Sequence, residues 1–199
     1  GTILLAAGVP SIAGEIPLGE RRSGYEWLSR ETRAMQDDDT VNPGTLWVLD
    51  GEALWTRQAG RAAKSCADCH GEAAASMAGV AARYPAFDPA SGRPIDLEQR
   101  INLCRTERQG AAPLARESRD LLALTVYVGR QSRGQPIADQ VTRDPRLTPF
   151  IAAGRALFER RQGQLDLACA QCHDDNWGKS LAGNPVPQAH PTGYPIYRL

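Results

Sequence analysis

Apolar residues fall at helical spacing in four stretches of the chain. From Thr45 to about Gln58 they are Leu46, Leu49, Ala53 and Leu54, and this spacing predicts an amphipathic helix with a core-facing side. A second such helix runs from Thr148 towards Gly163. Thr148 suits its cap, Pro149 its first position and Gly163 its end, and Ile151, Ala152, Leu157 and Phe158 form its apolar side. A third begins at Asp96, with Gln99 three residues on as a capping-box partner. The fourth spans Ser118 to about Ser132 and carries Leu121, Leu122, Leu124, Tyr127 and Val128. Residues 71–94, rich in Gly and Pro, read as loop, and 134–147 as a linker. No period-two pattern persists, so the fold class is mainly α.

The first and second of these helices belong to a duplication. Gly51–His70 aligns with Gly154–His173 without a gap at an offset of 103. Gly51, Ala53, Leu54, Arg57, Gly60, Cys66, Ala67, Cys69 and His70 are identical to their counterparts, and Trp55 meets Phe158. Each copy ends in Cys-x-x-Cys-His: Cys66, Cys69, His70 and Cys169, Cys172, His173. Two thiols on one short turn reach the two vinyl groups of one porphyrin, and the following histidine lies under the iron. A zinc knuckle or a thioredoxin-type pair also uses Cys-x-x-Cys, but neither needs the histidine. Two covalently bound haem c groups are therefore expected. Cys66, Cys69, Cys169 and Cys172 would attach them, and His70 and His173 would ligate the irons.

Composition changes this picture little. Of 199 residues 42% are hydrophobic and 23% charged, an ordinary globular balance. The net charge of zero implies no nucleic-acid or membrane-surface partner. Residues 1–14 carry no charge. Ile3–Val9 resembles the end of a signal-peptide core, and Ser11-Ile12-Ala13 a cleavage site. This reading implies a periplasmic location and a chain cut short at this end; a plain apolar arm is the other reading. No run reaches the length of a membrane span.

Cys104 is the fifth cysteine and has no partner motif. The two methionines place poorly as sixth ligands: Met35 precedes the first motif, and Met77 lies only seven residues past His70. Cys104 lies 34 residues past His70, on the third helix. Spacing alone leaves two readings open, a distal iron ligand and a buried inert thiol.

Beyond the motifs, the chain resembles the two-haem SoxA family, cytochrome subunits of complexes that oxidise thiosulfate. The matching stretches are 20–55, KSCADCHG at 64–71, MAGVAARYPAFD at 77–88, LEQRINLCR at 97–105 and 176–199. The resemblance implies two class I cytochrome c-like domains related by duplication. It also implies that Cys104 ligates the first iron opposite His70. The haem at His173 would belong to the catalytic centre and that at His70 to an auxiliary one. The implied activity is oxidative conjugation of thiosulfate to a cysteine of the carrier protein SoxYZ. The electrons would pass to the monohaem subunit SoxX and on to a small cytochrome c. The expected organisation is a signal remnant at 1–14, a first domain at 15–133, a linker at 134–147 and a second, incomplete domain at 148–199.

In one respect the chain departs from that family, whose second haem is ligated by a cysteine persulfide. Here no cysteine follows Cys172. Tyr84-Pro85 precedes Cys104 by 20 residues, and the same step from Tyr194-Pro195 lands past Leu199, where the catalytic cysteine is expected. His190 in its place is the weaker reading. An incomplete second domain should leave Leu157 and Phe158 more exposed than Leu54 and Trp55. Two rival functions stand beside the enzyme: a two-haem electron carrier without chemistry of its own, and a two-haem peroxidase.

Overall fold

The computed structural model describes residues 16–135 and 144–188. They form two compact units. One comprises residues 28–135 and 144–152; the other comprises 16–27 and 153–188. Residues 1–15 and 189–199 lie outside the described residues. So do the signal remnant, His190 and the Tyr194-Pro195 pair.

The first unit is built on two helices that cross. These are α2 (Gly44–Thr56) and α6 (Arg119–Arg130); α1 (Arg30–Asp37) precedes them. Ser118 caps α6 by accepting from Leu121 N, so the predicted start is the cap itself. The crossing is set by Gly51. A Cβ there would lie 2.2 Å from the Ala123 carbonyl oxygen and 2.5 Å from Tyr127 Cβ, so only glycine fits. One turn further on α2, Trp55 is 5% exposed and packs with Ala73 and Val128, its ring 5.9 Å from Tyr127. Leu121, Ala123 and Leu124 complete the buried face of α6.

This geometry corrects the expected core of α2. Leu46 and Leu49 are 67% and 55% exposed. The face that meets α6 is Gly44, Gly51 and Trp55, because a helix crossing at closest approach selects small residues and not the leucine stripe. Met77 packs on the Trp55 cluster, which accounts for it without iron.

The segment after His70 is more ordered than its glycines and prolines predict. It holds the short α4 (Ala73–Ser76) and an antiparallel hairpin, β1 (Ala86–Asp88) with β2 (Arg93–Ile95). An alanine run favours the helical turn, and the Asp88 carboxylate closes the hairpin by accepting from the Ser91 N–H and hydroxyl. Next comes α5 (Leu97–Cys104), with the expected Asp96–Gln99 capping box in place. It does not end at Cys104 but continues as a π turn over Arg105–Gln109.

The second unit is smaller. It contains most of α7 (Thr148–Glu159), then α8 (Cys169–His173) and a two-residue hairpin, β3 (Ser180–Leu181) with β4 (Asn184–Pro185). The start of α7 matches prediction, but it ends at Glu159, and Gly163 forms the following turn with φ +74°. Residues 16–27 group here and not with the first domain, as the sequence boundary at residue 15 had them. Buried Gln188 explains this: its Oε1 accepts from Arg22 N at 2.6 Å and its Nε2 donates to the Glu20 carbonyl at 2.9 Å. Trp27 and Trp177 also pair, 6.3 Å apart.

Candidate haem sites

Each attachment turn is a five-residue helix entered by a fixed loop. In the first copy, Cys66–His70 is α3. Ser65 caps it by accepting from Asp68 N, and the Asp68 carboxylate accepts from Ser65 N at 2.7 Å. These hydrogen bonds hold the Asp68 carboxyl below its ordinary range, the Ser65 backbone N–H contributing most. In the second copy, Gln171 Oε1 accepts from Ala168 N at 2.8 Å, and alanine offers no reciprocal bond.

The loops before the turns share one backbone path. Ala59 bridges Lys64 as Gln162 bridges Leu167. Gly60 and Gly163 both have positive φ, at +68° and +74°, and Ala63 and Asp166 sit at +46° and +47°. All of these pairs differ by 103, so the duplication extends from sequence to conformation. The aromatic before each turn keeps its place as well. Trp55 lies 5.8 Å from the His70 ring and Phe158 lies 6.5 Å from His173, both tilted 35°.

The histidines are poised as ligands. His173 Nδ1 lies 2.7 Å from the Pro187 carbonyl oxygen. A carbonyl only accepts, so Nδ1 carries the proton and the Nε2 lone pair is left free, the tautomer an iron ligand requires. In the first unit, the Trp55 indole N–H donates to the Gly71 carbonyl at 3.0 Å, fixing the chain directly after His70.

Cys104 sits partly buried at the junction of α5 and the π turn. Burial pushes its thiol above the ordinary range, and burial followed by the neighbouring Cys104 does the same for Cys66. All five cysteines are free thiols. Among the described residues, no group of three or more His, Cys, Asp or Glu side chains gathers to hold a bare metal ion. Two thiols on one capped turn with an adjacent histidine fit a haem better than zinc. Cys66 and Cys69 would form the thioethers and His70 would hold the iron, with Cys104 the expected second ligand; Cys169, Cys172 and His173 would do the same at the second turn.

The sequence missed two contributors to the site. Gln109 is buried behind the first attachment loop, and no periodicity marks it. Pro187, whose carbonyl fixes the His173 tautomer, carries no side-chain signal at all. The expected asymmetry between the copies is present: Leu157 is 50% exposed and Phe158 partly so, whereas Trp55 is buried.

A capped Cys-x-x-Cys-His turn beneath crossed helices defines a c-type cytochrome, a protein that binds haem c covalently. Residues 50–137 match the cytochrome c domain model of SoxA and TsdA. The SoxA subunit of L-cysteine S-thiosulfotransferase from Pseudaminobacter salicylatoxidans is 40% identical over 183 residues, which are 92% of this chain and 64% of that protein. Its counterpart from Rhodovulum sulfidophilum is 36% identical, over 90% of this chain and 62% of its own. The crystal structure of SoxXA from P. pantotrophus aligns with a TM-score of 0.78 at 31% identity, covering 85% of this chain and 63% of that one. Over most of its length the chain is thus similar to SoxA subunits, and residues 50–137 carry the cytochrome c domain they share. It spans under two thirds of the length of these relatives.

Proposed function

We propose that this chain is the two-haem cytochrome subunit of a periplasmic L-cysteine S-thiosulfotransferase, paired with a monohaem SoxX subunit. The reaction joins the terminal sulfur of thiosulfate to a cysteine thiol of the SoxYZ carrier. An S–S bond forms, the thiol loses its proton, and two electrons leave. Haem, when bound, supplies the acceptor for those electrons. The observation that carries this reading is the duplicated attachment turn, repeated in backbone path as well as in sequence. The SoxA names of the relatives and the SoxXA assembly support this reaction and this partner.

The protein's own residues have separable tasks in this scheme. Cys66, Cys69 and the Cys169/Cys172 pair anchor two haems. His70 and His173 would each hold an iron, and the Pro187 carbonyl keeps the His173 proton on Nδ1. Cys104 would be the second protein ligand of the first iron, and its thiolate would lower the reduction potential there. That centre is a relay; the centre at His173 is the catalytic one.

Mass spectrometry of denatured protein matured in a periplasm should show two covalent haems. Protein that carries the expected distal cysteine of the second centre, purified with its partner subunit, should conjugate thiosulfate to the carrier thiol in the presence of an electron acceptor. One haem per chain would refute the two-centre scheme, and two haems without conjugation would leave an electron carrier.

A further inference from the structure

We infer that Gln109 is a positioning residue for the Cys104 ligand of the first haem, acting through the π turn that joins them. This rests on the ligand role given to Cys104 above. Residues 105–109 form one wide turn, closed by the N–H groups of Gly110 and Ala111 on the Arg105 carbonyl, with Gly110 at φ +62°. Cys104 is at one end of this turn and Gln109 at the other. The far end is clasped to the attachment loop. Gln109 Nε2 donates to the Lys64 carbonyl at 2.9 Å, and the Gln109 carbonyl accepts from Ala62 N at 3.0 Å. Gly60 lets the two backbones close, since a Cβ there would lie 2.1 Å from the Gln109 oxygen. Lys64 directly precedes the Ser65 cap of the Cys66 turn. One buried side chain thus spans the element that carries the distal thiol and the loop that carries the proximal half of the site.

The amide of Gln109 is buried, and its Oε1 accepts no hydrogen bond among the described residues. Burying half an amide unpaired is unfavourable, so the clasp through Nε2 is the contribution that offsets it. π turns concentrate at functional positions because they displace one residue from the helical register. Here the turn starts directly after Cys104 and ends on the clasped Gln109.

The test uses haem-loaded protein in complex with its partner subunit. Cys104→Ser first identifies which low-spin ferric EPR signal belongs to the first centre. Gln109→Leu, and Gln109→Asn should the leucine variant not accumulate, remove the clasp while both haems stay attached. Loss of one hydrogen bond should weaken the thiolate–ferric bond about five-fold. The potential of that centre should then rise by about 40 mV at 59 mV per tenfold for one electron. Leu124→Ala, a core variant remote from the clasp, should lower the melting temperature and leave that potential unchanged. If Cys104→Ser removes no signal, the ligand role fails and this inference falls with it. If Cys104→Ser removes the signal but neither Gln109 variant moves its potential, or Leu124→Ala moves it equally, Gln109 has no positioning role.

Discussion

The indole N–H of Trp55 donates to the Gly71 carbonyl across 3.0 Å, joining the opening helix of the first unit to the residue directly after His70. The bond is available because Trp55 is buried at the crossing of α2 and α6, with Tyr127 beside it. The second copy has Phe158 at this position, which cannot donate. Trp55→Phe should therefore cost about 1 kcal/mol, the scale of one hydrogen bond. Trp55→Ala should cost about 3–5 kcal/mol, because it also leaves a cavity. Urea unfolding of the haem-loaded protein measures both, and a neutral Trp55→Phe would show that the bond contributes nothing.

Equivalent glycines in the two copies should respond with opposite sign. At Gly51 a methyl group would strike the Ala123 carbonyl, so Gly51→Ala should destabilise by at least about 3 kcal/mol. At Gly154 no atom lies within 4 Å of the added carbon, and Gly154→Ala should stabilise α7 by about 0.5–1 kcal/mol. Calorimetry on the two single variants decides it; similar effects at both positions would mean that the copies are packed alike.

The Ser65 cap makes a smaller, local prediction. Ser65→Ala removes one half of a reciprocal box and should cost about 1 kcal/mol. Exchange of the Asp68 amide, measured by deuterium uptake, should speed up accordingly. Unchanged protection at Asp68 would place the turn's stability elsewhere, in the haem thioethers.

Asp88 supplies a pH dependence. Its carboxylate accepts from the Ser91 hydroxyl at 2.7 Å, the Ser91 N–H at 2.9 Å and Arg100 at 3.3 Å. The Ser91 hydroxyl above all, then the Ser91 N–H, holds its carboxyl below the ordinary value of 3.8. A depressed carboxyl stabilises the fold above its unfolded value, and that contribution disappears as pH falls through the folded one. Wild type should therefore melt higher than Asp88→Asn at pH 7, and the gap should narrow as pH falls below the unfolded carboxyl value. A gap independent of pH would locate the effect in packing and not in charge.

Much of the site was legible because haem attachment is local chemistry. Cys66, Cys69 and His70, and their counterparts at 169, 172 and 173, are adjacent in sequence and must share one turn. The Asp96–Gln99 box was equally local. What could not be read depends on contacts between distant residues. The leucine stripe of α2 looked like its core, yet the crossing at Gly51 turned that stripe to solvent. The grouping of residues 16–27 with the second unit rests on Gln188, 166 residues from its Arg22 partner. The π turn leaves no mark on side-chain periodicity, since α5 simply continues, and Gln109 went unnoticed with it.

That turn makes the first unit sensitive to length where it is tolerant of chemistry. Deleting any one residue from Arg105 to Arg108 would let the turn tighten towards ordinary α winding and draw Gln109 off its place over the attachment loop. Gln109 would face away from Lys64, and Gly110 would lose the position from which it closes the turn. The exposed side chains of Thr106, Glu107 and Arg108 can be exchanged without this consequence. A scan of single deletions across 97–111 should therefore show a sharp minimum in haem loading over 105–109, where substitutions, those at Gln109 included, leave both haems attached.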